Sequence, residues 1–219
     1  MKGVFITFEG TEGSGKSTQI HRLADRLREF NRPVRVLREP GGTDIGEEIR
    51  HTLQHSARNH AMTPETELLL MNASRAQLVR EIIRPALAAR ETVLCDRFYD
   101  STTAYQGYGR GLDLRMVRGI IDLAVGDTRP VLTLLLQVPL ELSEQRRALR
   151  GSGVPLRDRI EEGGREFFGR VEEGFAAIAA AEPERVRIVN ANAEVETVCD
   201  HIWQIVSPLF EKPLCAADR

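Results

Sequence analysis

Residues 10–17 read GTEGSGKS and fit the pattern G-x-x-x-x-G-K-[ST], which is typical of proteins that bind phosphate chains. The glycines let the backbone wrap closely around an anion, with successive N–H groups pointing inward. Lys16 offers a compact positive charge to the β- and γ-phosphates, and the Ser17 hydroxyl is a suitable ligand for Mg²⁺. The residues predicted to bind a nucleoside triphosphate such as ATP are Gly10, Thr11, Glu12, Gly13, Ser14, Gly15, Lys16, Ser17 and Thr18.

A second acidic signal lies at the end of another apolar run. Asp96 follows the run 93–95, and an acid at the end of a strand is the arrangement that places a carboxylate beside the metal of a phosphate loop. We therefore predict that Ser17 and Asp96 hold Mg²⁺. Arg97 comes directly afterwards, and its guanidinium could hold a second phosphate in a bidentate contact.

A basic stretch interrupted by glycine and proline covers residues 146–159. Such a stretch is either a solvated turn or a mobile loop that meets anions, and its composition leaves both interpretations open. Its arginines are Arg146, Arg147, Arg150, Arg157 and Arg159.

The composition is that of a globular protein. The chain has 219 residues, of which 42% are hydrophobic and 28% charged, so it is neither disordered nor a membrane protein. A net charge of -2 and 5% aromatic residues give no electrostatic or stacking signal for nucleic acid. Three cysteines without CxxC spacing argue against a disulfide framework, and no secretory signal is evident, so we expect a cytoplasmic protein.

Short apolar runs alternate with longer amphipathic segments along the chain. The runs predicted as strands are 4–8, 34–37, 92–95, 131–138 and 186–189, most of them apolar enough to be buried on both faces. The predicted helices are 17–30, 65–90 with a kink or break at Pro85, 114–125, 140–150, 163–181 and 195–209. The alternation predicts an α/β protein with a five-stranded parallel sheet and helices on both faces. We expect one domain over residues 1–210 and a frayed tail over 211–219.

Two classes of nucleotide protein fit these signals. One is a kinase that transfers the γ-phosphate to a small acceptor, and the other is a hydrolytic switch or motor. The chain contains neither the NKxD tetrapeptide of GTPases nor an LSGGQ-like signature. A kinase needs a second anion site, which Arg38, Arg75 and Arg97 could form, and a closing basic loop, which residues 146–159 could form.

Several separated motifs occur in the order found in the thymidylate kinase family, in its bacterial form, and the chain resembles that family from about residue 5 to 168. The motifs are FEGTEGSGKST (8–18), REPGGT (38–43), SRAQ (74–77), DRFYDSTTAYQG (96–107), GDTRPVLTLLL (126–136) and DRIE (158–161). The resemblance implies a P-loop NTPase fold with a mobile lid at about 146–159, and a homodimer. It also implies phosphoryl transfer from Mg·ATP to dTMP, which gives dTDP and ADP.

The resemblance also assigns roles to residues of the acceptor site. Glu9 is expected near the phosphate and sugar of dTMP, and Arg75 and Arg97 are expected to hold its phosphate and thymine. The residues expected to line the nucleoside pocket are Ser101, Thr102, Tyr105 and Gln106, with the Tyr105 ring placed to crowd a ribose 2′-hydroxyl. Where the family usually has an aromatic residue to stack on thymine, this chain has Met71.

The charge for the transferred phosphoryl group is expected from the lid. The phosphate loop contains no base other than Lys16, whereas arginines lead into the glycines at 151 and 153. Arg150 is the first candidate for the contact, with Arg146 and Arg159 in support. Glu12 could pair with a lid arginine when the lid closes.

Overall fold

The computed structural model describes residues 3–56, 59–139, 141–143, 145–146 and 164–211. Its five strands form one parallel sheet in the order β2-β3-β1-β4-β5. The strands are β1 (Val4–Glu9), β2 (Val34–Arg38), β3 (Thr92–Asp96), β4 (Leu132–Gln137) and β5 (Val186–Asn190). This confirms the predicted fold class. The edge strands β2 and β5 are only half buried, because each has a neighbour on one side alone.

Helices connect the strands and cover both faces of the sheet. They are α1 (Lys16–Glu29), α2 (Asp44–Arg50), α3 (Pro64–Leu78), α4 (Arg84–Ala88), α5 (Tyr99–Thr102), α6 (Leu114–Val125), α7 (Arg165–Ala181), α8 (Val195–Val206) and α9 (Pro208–Glu211). π-Helical turns follow α2, α3 and α5 at His51–His55, Val79–Ile83 and Thr103–Gly109, and a 3₁₀ turn covers Asn59–Ala61.

The long helical segment before β3 changes to a π-helical turn just ahead of Pro85, but Ile83 and Arg84 keep helical backbone angles, so the predicted break does not occur. The ring of Pro85 cannot donate a backbone hydrogen bond, and the π-helical turn Val79–Ile83 lies immediately ahead of α4. The segment then ends at Ala88. Of the predicted helix 140–150, residues 141–143 and 145–146 are helical and the rest lie outside the described residues, as do 212–219 of the predicted tail.

Side chains alternate between the two faces of the sheet and form a core on each. On one face, Ile6 and Phe8 of β1 pack with α1 and α8, and on the other Phe5 packs with α3 and α6. A third cluster joins α7 to β4 and to the turn Thr103–Gly109. Among the described residues, no helix combines the length and apolar composition needed to cross a membrane.

The order of the strands determines where a site can form. The chain runs from β1 to β2 toward one edge of the sheet and from β3 to β4 toward the other edge, so the order of the strands reverses around β1. Ligands of open α/β sheets bind beyond the carboxyl ends of the strands at such a switch point. The segments that follow β1 and β3, which carry residues 10–17 and 97–107, meet there.

Candidate active site

The predicted phosphate loop connects β1 to the first turn of α1. Gly10, Gly13 and Gly15 have φ values of 132°, 77° and 92°, which favour glycine. At Gly10 the fit is also steric, since a Cβ there would lie 2.3 Å from the carbonyl oxygen of Leu136. The backbone N–H groups at the start of α1 provide a partial positive charge toward an anion. The geometry therefore supports the predicted triphosphate site.

Lys16 is buried at the start of α1 and folds back over the loop. Its Nζ donates to the carbonyl oxygens of Gly10, at 3.1 Å, and Thr11, at 3.0 Å. Burial, assisted by the positive charge of Arg97, lowers the pKa of Lys16 to about 8. A bound phosphate would place a negatively charged partner beside the buried Lys16 ammonium.

The two predicted Mg²⁺ ligands are in contact. The Ser17 hydroxyl donates to Asp96 Oδ2 at 3.0 Å, and Asp96 Oδ1 is buried with no hydrogen-bond partner among the described residues. Hard oxygen donors suit Mg²⁺, which usually takes few protein ligands and completes its octahedron with water and phosphate oxygens. No cluster of three or more acidic, histidine or cysteine ligands occurs in the described part of the chain. The residues present thus fit a metal held jointly with a nucleotide.

A cavity of about 290 Å³ opens beside the phosphate loop. It reaches from Lys16 and Ser17 past Asp96, so the triphosphate loop and the predicted acceptor residues border the same space. The predicted acceptor-site residues that line it are Arg38, Met71, Arg75, Arg97, Ser101, Thr102, Tyr105 and Gln106. Further lining residues that sequence reasoning did not assign include Glu39, Arg50 and Phe168.

Glu9 ends β1 and supports the backbone that follows β3. Its carboxylate accepts hydrogen bonds from the N–H of Phe98, at 2.8 Å, and from both the N–H and the hydroxyl of Ser101, at 3.2 and 2.5 Å. Burial, followed by the charge of Asp100, raises the pKa of Glu9 to about 7. The carboxylate thus positions the segment that carries Arg97, and its predicted contact with the phosphate and sugar remains a prediction.

Arg97 presents a largely uncommitted guanidinium to the cavity. Its Nη1 donates to the Ser101 hydroxyl at 3.0 Å, its Nη2 donates to the Tyr105 hydroxyl at 3.3 Å, and its Cζ lies 5.1 Å from the Tyr105 ring centroid. A guanidinium has five N–H donors. Since Arg97 uses two of them in these hydrogen bonds, most of its donors have no acceptor among the described residues. This arrangement suits an arginine that clamps a phosphate.

Arg75 is buried and has several hydrogen-bond partners within the protein. It is 2% exposed, and it donates from Nε to Glu39 at 2.8 Å and from Nη1 to Asn72 and Thr102 at 2.9 Å each. Its Nη2 approaches Glu39 at 2.7 Å and donates to the Phe98 carbonyl at 3.2 Å. Protein groups therefore hold the guanidinium in place at the border of the cavity. It ties α3 to the residues after β2 and β3, and its contact with an acceptor remains a prediction.

Three other predicted residues lie around the cavity. Arg38 is half exposed and pairs with Glu47, with 2.9 Å between Nη2 and Oε2. Met71 is half buried and packs against the cluster that contains Phe168. The Tyr105 ring is buried, and burial raises the pKa of its hydroxyl.

Only the first of the predicted lid arginines lies within the described residues. Arg146 donates to the Gly13 carbonyl at 3.3 Å and the Ala191 carbonyl at 3.4 Å, while Ser143 donates to the Glu12 carbonyl at 2.5 Å. These contacts hold the backbone of the phosphate loop from its outer side. The remaining arginines, Arg147, Arg150, Arg157 and Arg159, lie outside the described residues.

Comparison with known proteins gives one consistent result. The profile of the family described as thymidylate kinase matches residues 8–202. The thymidylate kinase of Syntrophotalea carbinolica is 47% identical over 95% of this chain and 97% of its own length, and that of Deinococcus radiodurans is 46% identical over 94% and 97%. The crystal structure of thymidylate kinase from Ehrlichia chaffeensis superposes with a TM-score of 0.76 at 33% identity, covering 94% of this chain and all of that one. The chain belongs to the thymidylate kinase family.

Proposed function

We infer that this protein transfers the γ-phosphoryl group of ATP to dTMP and releases dTDP and ADP. The observation that carries this inference is that Lys16 of the phosphate loop and Arg97 after β3 border the same cavity. A kinase needs two anion sites that face each other, whereas a hydrolytic switch needs only one. Membership of the thymidylate kinase family supports dTMP as the acceptor over another small molecule or a protein partner.

The residues divide into a donor side and an acceptor side. The loop N–H groups and Lys16 hold the β- and γ-phosphates, and Arg97 holds the phosphate of dTMP, so the two reactants lie close together. Ser17 and Asp96 would hold Mg²⁺, which neutralises charge on the phosphates when it is bound. Glu9 positions Arg97 through the 98–101 backbone, and Tyr105 excludes a ribose 2′-hydroxyl by its bulk.

A panel of nucleoside monophosphates tests the assignment. Purified protein with ATP and Mg²⁺ should release ADP rapidly with dTMP, more slowly with dUMP, and scarcely with purine monophosphates. Equal ADP release with and without a monophosphate would favour the ATPase switch. Strong activation by a different monophosphate would favour another small-molecule kinase.

The transition-state charge is proposed to come from Arg150. An arginine that reaches the phosphoryl group mainly in the closed state raises kcat more than it lowers KM. Arg150→Ala should therefore lower kcat by about a hundredfold or more, with KM for both substrates changed far less. Steady-state kinetics beside Arg165→Ala, an exposed arginine at the start of α7, provides the control. A kcat within about twofold of wild type would contradict this role of Arg150 and would favour the interpretation of residues 146–159 as a solvated turn.

Met71 is proposed to lie against the thymine ring. Met71→Phe should tighten dTMP binding by roughly twofold to tenfold, because an aromatic ring gives a more rigid stacking surface worth about 0.5–1.5 kcal/mol. Isothermal titration calorimetry and thermal unfolding together measure the outcome. If Met71→Phe has unchanged affinity for dTMP but lower thermal stability, Met71 packs in the core and does not contact the base. Selectivity for dTMP over dUMP should be modest in either case, since one methyl group is worth about 1–3 kcal/mol.

We also propose a homodimer in the cytoplasm, formed by one kinase domain over residues 1–210 of each chain. Large apolar side chains are exposed on α2, α3 and α6, at Ile45, Leu69 and Leu123, and a second copy would cover them. Analytical ultracentrifugation tests the dimer, and a monomer at micromolar concentration would contradict it.

The proposed cytoplasmic location is supported by the cysteines. Cys95 and Cys199 are free thiols, which fits a reducing compartment.

A further inference from the structure

Glu67 is a buried carboxylate on α3 that the roles assigned so far do not use. Its side chain is 0% exposed, and its Oε1 accepts a hydrogen bond from Gln106 Nε2 at 2.7 Å. Its Oε2 accepts from Arg110 Nη2 at 3.0 Å, and Arg110 Nε approaches Oε1 at 3.3 Å. Both carboxylate oxygens face N–H donors, so Glu67 acts toward Gln106 and Arg110 as a hydrogen-bond acceptor.

The ion pair is itself held in place from α7. The Arg110 guanidinium lies over the Phe167 ring, with 4.7 Å between Cζ and the ring centroid. One turn further along α7, Arg170 donates from Nε and Nη2 to the Gly109 carbonyl, at 3.1 and 2.8 Å. Glu67 therefore has little freedom to turn away from Gln106.

This pairing fixes which end of the Gln106 amide faces the cavity. A carboxylate that only accepts hydrogen bonds requires the NH₂ group of Gln106 to point toward Glu67. The carbonyl Oε1 must then point away from Glu67, and Gln106 lines the cavity. Gln106 therefore presents a hydrogen-bond acceptor to the cavity rather than a donor.

We propose that Glu67, held by Arg110, is a positioning residue for base selection: it fixes the Gln106 amide so that Oε1 accepts a hydrogen bond from a base that carries a ring N–H. The inference rests on the proposed function, since thymine carries such an N–H at N3. Cytosine has a bare acceptor at N3 and would meet Oε1 with repulsion. Glu67 itself touches neither substrate.

Glu67→Gln tests the proposal because it alters the hydrogen bonding with little change in shape. Arg110 can only donate, so it takes the carbonyl oxygen of the new amide and leaves its NH₂ group facing Gln106. Gln106 must then turn, and its own NH₂ group faces the base. For dTMP, kcat/KM should fall by roughly tenfold to a hundredfold, mainly through KM, because an N–H group would face another donor. The preference for dTMP over dCMP should fall by at least as much, and the KM for ATP should not change.

Glu81→Gln is the matched control, since it alters a similar Gln–Glu pair, formed with Gln77 at 2.6 Å, on the exposed side of the same helical segment. Two results for Glu67→Gln would overturn the proposal. One is a preference for dTMP over dCMP, measured as the ratio of kcat/KM values, equal to that of wild type. The other is a loss of affinity for ATP as large as that for dTMP. Gln106→Leu leaves the Glu67–Arg110 pair intact and must also lose the dTMP/dCMP preference, whether or not Glu67→Gln folds. In the double variant, Glu67→Gln should add nothing to Gln106→Leu, and additive effects would also overturn the proposal. Absence of dTMP turnover in the wild-type protein would instead refute the proposed function.

Discussion

Replacing Lys16 by methionine is expected to reduce phosphoryl transfer by about a thousandfold while the protein stays folded. Lys16 is the only basic residue in the phosphate loop, and electrostatic stabilisation by its positive charge is the main catalytic contribution in this class of reaction. The two hydrogen bonds from Nζ to the Gly10 and Thr11 carbonyls are lost, but the glycine φ values at positions 10, 13 and 15 still favour the loop conformation, so we expect the loop to form. Methionine also removes a buried charge, which burial disfavours, as the lowered pKa of Lys16 indicates.

Three measurements separate catalysis from folding in this variant. Steady-state assays give the loss of turnover, calorimetry with dTMP tests the acceptor side, and thermal unfolding tests stability. Arg28→Met is the matched control, since it removes an exposed positive charge from the same helix, where Arg28 pairs with Asp25. If the turnover of Lys16→Met lies within about tenfold of wild type, the phosphate loop does not take part in catalysis as proposed.

Arg97→Ala is expected to lower kcat/KM for dTMP by about a hundredfold, with the KM for ATP close to normal. The physical reason is the loss of a charge-assisted, two-pronged contact with the acceptor phosphate. The backbone of Arg97 has φ 67°, a strained conformation for arginine and alanine alike, so the change should cost little stability through the backbone. Loss of the positive charge should also raise the pKa of Glu9 further, because Arg97 opposes the effect of burial there.

The control for Arg97→Ala is Arg129→Ala. Arg129 also lies over a tyrosine ring, that of Tyr99 at 5.4 Å, but it is half exposed and pairs with Asp122. Kinetics with each substrate varied in turn should show normal turnover in the control. Equal losses of affinity for ATP and dTMP in Arg97→Ala would argue against an acceptor clamp.

Local pattern in the sequence was enough to predict the sheet and the phosphate loop. Strands such as Thr92–Asp96 are short apolar runs, and the glycine spacing of residues 10–15 requires a tight turn whatever surrounds it. The short helix α2 and the helical turns over 99–109 were not predicted. The latter segment, YDSTTAYQGYG, has no apolar period of 3.6, and it is helical because it packs against α6 and α7.

Long-range pairing within the site could not be predicted from the sequence. The buried pairing of Arg75 with Glu39, 36 positions earlier in the chain, has no local signal in the sequence. Glu67 carried no signal, because its partners Gln106 and Arg110 lie about forty positions away and meet it only in the folded protein. Residue types at fixed spacing predict chemistry within one loop, whereas the orientation of a buried amide depends on the packing of several elements.

The most direct measurement of the central claim is transfer of label from [γ-³²P]ATP. Purified protein, Mg²⁺ and dTMP are incubated, and the products are separated by chromatography. We expect the label in dTDP, in equal amount to the ADP formed, and no transfer when dTMP is omitted. Label released as inorganic phosphate at a rate independent of dTMP would contradict the account, because it would make the protein a hydrolase with one anion site in use.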